Sequence, residues 1–253
     1  MYVFGAGKLV AVPLTDSLGN SLSNAQPVLL GTMQDISLDI SIDIKELYGS
    51  KRYPVAIGQG KGKIGIKAKY ADINAGAVGA LFYGKSATTG IKGVASDIPA
   101  SVPSASSYTV TPTVPSSGTF VADLGVWDAS TGQQLQPVAS NPTAGQYSVS
   151  ALGVYTFASA DASRALLFNF EFTATSTSAQ TFALTNDLMG FTPSFSVYLR
   201  EAAPDGKTLT MKFNRASSGK LSLPFKSDDF AQSDFEASCF ADTAGNIGWM
   251  CLA

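Results

Sequence analysis

Histidine is absent from the 253 residues, and with it go the commonest general base, the Ser–His and Cys–His nucleophile pairs and most zinc sites. Charge is scarce too: Asp, Glu, Lys and Arg make up 14% of the chain, against roughly 25% in an average globular protein. The formal net charge of −2 creates no field that would hold an anionic polymer or a membrane surface by counterion release. Cysteine occurs twice, at Cys239 and Cys251, too little for a disulfide scaffold. No apolar run approaches the ~20 residues of a membrane-spanning helix. Met1-Tyr2-Val3-Phe4-Gly5 has neither the basic nor the apolar region of a signal peptide. The expectation is a non-enzymatic chain made in the cytosol, with no cofactor, no metal and no membrane partner. What the chain does have is 45% hydrophobic residues, 24 Gly and 12 Pro, which suits a packed core of many strands joined by polar turns.

Period-two alternation supplies the strands. From Asp35 to Lys45, Ile36, Leu38, Ile40, Ile42 and Ile44 alternate with Asp35, Ser37, Asp39, Ser41, Asp43 and Lys45. From Lys61 to Tyr70, Lys61, Lys63, Lys67 and Lys69 face away from Ile64, Ile66, Ala68 and Tyr70. If these two runs are neighbours, their polar faces of opposite sign pair across the ladder. Further runs are Leu166/Phe168/Phe170/Phe172, Phe195/Val197/Leu199, Leu209/Met211/Phe213, Leu221/Leu223/Phe225 and Phe235/Ala237/Cys239, with turn signals at Pro204-Asp205-Gly206 and Ser217-Ser218-Gly219. One helix is expected over 72–83, with Asp72 as N-cap, Ile73, Ala77, Ala80 and Leu81 on one stripe, and Gly84 as its left-handed stop. Polar tracts at 96–118 and 173–179 bracket an inserted β unit at about 105–178 within a single domain spanning 1–253.

The segment Gly79-Ala80-Leu81-Phe82-Tyr83-Gly84-Lys85-Ser86 matches the phosphate-binding pattern G-x-x-x-x-G-K-[ST] to the letter. A phosphate cradle needs a strand before it and a helix starting at the Lys. Here a helix precedes it, so the match reads as a helix C-terminus. Gly58-Gln59-Gly60-Lys61-Gly62-Lys63 leads into a strand and reads as a mobile hairpin turn. The Asp35/Asp39/Asp43 row cannot hold one cation, because positions four apart in a strand are ~13 Å apart. Cys239 falls on the apolar side of its strand and reads as a buried free thiol, and Cys251 sits near a loose C-terminus. Trp127 and Trp249 lie away from basic clusters and read as packing or interface residues.

Three blocks resemble the major tail tube proteins of long-tailed bacteriophages. The first is Glu46-Leu47-Tyr48-Gly49-Ser50-Lys51-Arg52-Tyr53-Pro54-Val55, running through Gly60-Lys61-Gly62-Lys63 to Lys67-Ala68-Lys69-Tyr70-Ala71. The second joins Phe120-Val121-Ala122-Asp123-Leu124-Gly125-Val126, Gly145-Gln146-Tyr147-Ser148-Val149 and Gly153-Val154-Tyr155-Thr156-Phe157. The third is Asp234-Phe235-Glu236-Ala237 with Phe240-Ala241-Asp242 and Gly245-Asn246-Ile247-Gly248. The resemblance implies a mainly β protein, an antiparallel β-sandwich with one flanking α-helix. Its inner hairpins would join into a ring barrel, and stacked hexameric rings would enclose a conduit for DNA.

It further implies a place in the virion tail after synthesis in the host bacterial cytoplasm. The partners would be other copies of the chain, with tape-measure, tail terminator and tail-tip proteins, while DNA passes without specific binding. On that expectation Asp35, Ser37, Asp39, Ser41, Asp43, Lys61, Lys63, Lys67 and Lys69 face the lumen. Lys51, Arg52, Tyr53, Pro54, Gly58, Gly60 and Gly62 form a loop that orders between rings. The competing expectation is another β-structural protein of a virion, a decoration or adhesin module.

Overall fold

A computed structural model describes residues 7–71, 75–224, 228, 230 and 232–253. The fold is mainly β, with sheets that are antiparallel except for the short parallel pairing of Gln136–Pro137 with Gln146–Tyr147, and a single α-helix among the described residues, consistent with a β-sandwich. The chain divides into two compact units, Met1–Ala87 with Phe182–Ala253 and Thr88–Thr181. Unit 1 begins with β1 (Lys8–Pro13), β2 (Val28–Leu30), β3 (Met33–Tyr48), β4 (Pro54–Tyr70) and α1 (Ala75–Phe82). Unit 2 contains β5 (Thr88–Thr89), β6 (Ile91–Ser101), β7 (Thr109–Val110), β8 (Thr119–Asp128), β9 (Gln136–Pro137), β10 (Gln146–Val149), β11 (Tyr155–Phe157), β12 (Ala165–Ala174) and β13 (Gln180–Thr181). Unit 1 resumes with β14 (Phe195–Ala202), β15 (Thr208–Ser222), β16 (Ser233–Phe240) and β17 (Gly248–Leu252).

The sheet of unit 1 has the order β2-β1-β14-β15-β16-β4-β3, with β17 also on β15. Alternate residues of β1, β4, β14, β15 and β16 enter one core: Leu9 and Ala11, Ile66 with Ala68 and Tyr70, Phe195 and Val197, Met211 and Phe213, Phe235 and Ala237. Helix α1 adds Ala77 and Leu81 to it, and Phe82 meets Phe235 edge-to-face at 5.9 Å. The helix stops as expected: Gly84 takes φ +56° and turns the chain so that the Lys85 N–H donates to the Gly79 carbonyl at 3.0 Å. Asp72, Ile73 and Phe225 lie outside the described residues. The Pro204-Asp205-Gly206 turn joins β14 to β15, with Gly206 at φ +84°. Strands β16 and β17 run end to end along β15, Phe240 opposite Arg215 and Gly248 opposite Phe213. The excursion between them is tied by the Asp242 carboxylate, which accepts from the Ala244 and Asn246 N–H groups and from Asn214 Nδ2.

Three local expectations are corrected. Ser217-Ser218-Gly219 is no turn, because β15 runs straight through it, with a bulge at Gly219 before Lys220 pairs with Glu236. Cys251 is not on a loose end: it lies in β17 opposite Thr210. The second unit starts at Thr88 rather than 105, because β6 pairs along β12 from Ile91 to Ser101 and so draws part of the polar tract into the sheet. Both thiols are free, and burial pushes that of Cys239 up to about 11.

Unit 2 is a small sandwich in which the β6-β12-β8 sheet and the β7-β11-β10-β9 sheet share a core of Val126, Tyr147, Tyr155, Phe157, Phe168 and Phe170, among others. Its centre carries a polar hub. Asp123 accepts from Tyr147 Oη at 2.6 Å, Tyr155 Oη at 2.8 Å and the Gly125 N–H at 3.1 Å. Both rings are fully buried. Burial first, then the Asp123 carboxylate, raises both phenol pKa values well above the ordinary 10. The sign follows directly. The fold keeps both hydroxyls protonated while the unfolded chain releases them above pH ~10, so their contribution is complete below pH ~10 and falls as pH rises beyond it. Unit 2 is therefore expected to unfold cooperatively in alkali, with two tyrosines ionising only as the fold is lost. An ultraviolet titration of tyrosinate alongside circular dichroism checks this; ionisation of every tyrosine ahead of unfolding would contradict it.

Candidate functional site

The β3–β4 hairpin pairs along its whole length, from Met33 opposite Tyr70 to Tyr48 opposite Pro54. Its two halves live in different surroundings. Strand β16 covers the outer edge of β4 only from Ile64 to Tyr70. Beyond Ile64 the sheet, among the described residues, narrows to two strands whose side chains are almost all exposed. Of the apolar row from Ile36 to Ile44, Ile36 and Leu38 alone pack on the core of unit 1. Ile40, Ile42 and Ile44 are 56%, 50% and 64% exposed. Ile57, Val55, Tyr48 and Tyr53 at the far end are also exposed.

A two-stranded ribbon in water is marginally stable, and contiguous uncovered apolar side chains on a soluble protein mark an interaction surface. Fully burying an isoleucine contributes ~1.5–3 kcal/mol, so covering the uncovered half of each contributes on the order of 1 kcal/mol per side chain.

The glycines expected to make a mobile turn are strand residues. Gly58, Gly60 and Gly62 belong to β4, and the chain reverses instead between Tyr48 and Pro54, through Lys51, Arg52 and Tyr53. Of the residues expected in an inter-ring loop, Lys51, Arg52 and Tyr53 lie in this connection and Pro54 opens β4. Of the three, only Gly60 is held by the ladder: a Cβ on it would come within 3.3 Å of both Asp43 Cβ and the Asp43 carbonyl oxygen. A register shift between Ile42 and Ile44 absorbs Asp43, Gly60 and Lys61.

The opposite face is a ladder of charge. Asp35 pairs with Lys69 and Ser37 with Lys67. The rows continue across β16 to Asp234 beside Lys69 and Glu236 beside Lys67, and on to Lys220 of β15 beside Glu236. The expected pairing of the acidic and basic runs is present. Lys67 Nζ lies 3.8 Å from Asp39 Oδ2 and Lys220 Nζ 3.6 Å from Glu236 Oε1, both pairs well exposed. Such pairs contribute ~0–1 kcal/mol. Their effect is on register and local neutrality, since four carboxylates (Asp35, Asp39, Asp234, Glu236) and four lysines (Lys63, Lys67, Lys69, Lys220) share this face. A shallow groove over Asp35, Ser37, Lys67, Lys69, Asp234 and Glu236 is lined by these groups.

Elsewhere the chemistry is sparse. The phosphate-pattern segment places Gly79 to Phe82 inside α1 and no helix after Lys85, so no helix N-terminus faces a bound phosphate. Lys85 pairs instead with Asp187 at 3.1 Å, and the Ser17 hydroxyl and Lys85 hold the Asp187 carboxyl below its usual range. Lys85→Ala is expected to lower thermal stability by about 1 kcal/mol or less and to leave ATP binding undetectable in both proteins. Calorimetric titration together with a thermal melt reads this out, and ATP binding by the wild type that the variant loses would reverse the assignment. Among the described residues no group of three or more His, Cys, Asp or Glu is placed to hold a metal ion, and no helix is long and apolar enough to cross a membrane. A scan against models of known protein families and a search of curated proteins both return no match.

Proposed function

We propose that this chain is a non-enzymatic structural subunit that assembles with copies of itself into the stacked hexameric rings of a phage tail tube, a conduit for DNA. The observation that carries the reading is the β3–β4 ribbon, which leaves the sheet with Ile40, Ile42, Ile44 and Ile57 uncovered. Its uncovered length, Ile40 to Tyr48, is ~30 Å at 3.3 Å per residue, and two strands are ~10 Å wide. One face therefore offers a flat footprint of ~300 Å², well short of the ~800 Å² per partner of a standard stable interface. A surface of this size works as one of several contacts, which is the situation of a subunit with neighbours beside, above and below it. Among the described residues no strand pairs with the outer edge of β3, which a neighbouring strand would satisfy.

In this reading the charge ladder from Asp35 to Lys69 lines the bore. Lysines interspersed with an equal number of carboxylates present no net positive field to phosphate, so DNA passes without being gripped. The connection through Lys51, Arg52 and Tyr53 sits at the tip of the ribbon, where it would meet the next ring. Tape-measure, terminator and tip proteins complete the assembly in the virion. Negative-stain microscopy and sedimentation of the purified chain test the proposal: rings or tubes are expected. A protein that stays monomeric at high concentration, even when seeded with a tail tip, points to a decoration or adhesin module instead.

A further inference from the structure

The uncovered isoleucine face needs a cover that is apolar and uncharged; unit 1 exposes such residues on β17, which is paired into the sheet beside β15, and in the connection ahead of β14. Ahead of β14, Leu188, Met189 and Phe191 are 74%, 98% and 57% exposed, within the uncharged run Leu188-Met189-Gly190-Phe191-Thr192-Pro193. This knob is held outward by its stem. Asp187 accepts from Lys85 Nζ and from Thr185 Oγ1 at 3.0 Å, Gly190 turns the tip at φ +99°, and the Phe191 ring lies 3.3 Å from where a Cβ on Gly19 would sit. An apolar tip on a polar, pinned stem is pre-organised for docking, which lowers the entropy lost on contact.

The ribbon has a matching dent. On the isoleucine face Ile40 pairs with Ile64, but Ile42 pairs with Gly62, so one side chain is missing from the row. The monomer does not require it to be missing: a Cβ on Gly62 would meet only the Ser41 carbonyl oxygen at 3.7 Å and Ile42 Cγ1 at 3.8 Å, both ordinary contacts. We infer that the Leu188–Phe191 knob of one copy seats on the Ile40–Ile44 face of the next, with Met189 entering the notch at Gly62. An unbranched thioether side chain adapts to such a gap. The contact joins two different surfaces of one chain, so it propagates from copy to copy rather than closing as a twofold pair. It rests on the self-assembly reading and names the surfaces that meet.

The test uses the full chain with Cys239→Ser and Cys251→Ser. Ile42→Cys combined with Met189→Cys is expected to give a disulfide-linked ladder when assembled protein is oxidised, whereas Ile42→Cys with Met250→Cys, on the exposed strand β17, gives none. Gly62→Leu, which fills the notch, is expected to raise the concentration needed for assembly about tenfold or more with an unchanged monomer melt. Met189→Ala in the same chain restores assembly in part. Normal assembly by Gly62→Leu, or a cross-link from 42 to 250 in place of 189, overturns this assignment and leaves self-assembly standing. A wild-type chain that never assembles overturns both.

Discussion

Ile42→Asp is expected to abolish rings and tubes while leaving the monomer folded. Ile42 is half exposed in the single chain, so a carboxylate there stays in water, and surface changes of this kind shift stability by ~0.5 kcal/mol or less. In the proposed assembly the same position would be covered. A buried unpaired charge then costs several kcal/mol, and every subunit carries that cost. The asymmetry between monomer and assembly makes the effect large and diagnostic. Thermal melts of the two proteins should superimpose, while sedimentation and negative-stain images show assemblies for the wild type and none for the variant. Ile42→Val keeps the face apolar and should assemble. Tubes of normal length from Ile42→Asp would mean that the isoleucine face is not an interface.

Phe168→Ala is expected to unfold unit 2 at much lower temperature and to leave unit 1 intact. Phe168 is fully buried, with its ring centroid 4.9 Å from that of Tyr155 and 6.2 Å from that of Phe157. Truncating such a ring costs ~3–5 kcal/mol, a large part of the ~5–15 kcal/mol that holds a domain together. For a domain of this size that corresponds to a fall of roughly 15–30 °C in Tm. The two tryptophans separate the readouts, since Trp127 belongs to unit 2 and Trp249 to unit 1. With Trp249→Phe the remaining fluorescence follows unit 2, and with Trp127→Phe it follows unit 1. An early transition confined to Trp127, with assembly retained, is the expected result. A common transition at both reporters would show that the two units do not unfold independently.

The polar hub of unit 2 was not legible beforehand. Tyr147 and Tyr155 carry the marks of ordinary core aromatics, and the carboxylate they share lies 24 and 32 positions away. No local spacing connects them; only the stacking of two sheets brings them together. The glycines of β4 misled for a related reason. Gly58, Gly60 and Gly62 carry a turn signal, since glycine is the residue of tight reversals. Here Gly60 sits at a register shift and Gly62 leaves a notch opposite Ile42, and both depend on the partner strand. The Leu188–Phe191 knob carries no periodic signal, because it lies in a connection outside the strands, beside the Asp187 contacts to Lys85 and Thr185.

What the sequence determined by itself is the two-faced character of the strands. Side chains alternate along an extended backbone whatever surrounds it, so Asp35, Ser37 and Asp39 had to face away from Ile36 and Leu38, and the acidic and basic rows were complementary before any sheet was known. The mainly β class, the hairpin turn at Gly206 and the helix stop at Gly84 follow from equally local chemistry. Tertiary structure alone decided which half of the isoleucine row is core and which half is surface. Ile36 and Ile42 are the same residue in the same alternation. They differ because β16 ends its pairing at Ile64, and the length of a neighbouring strand is a property of packing across the sheet, which no residue of β3 encodes.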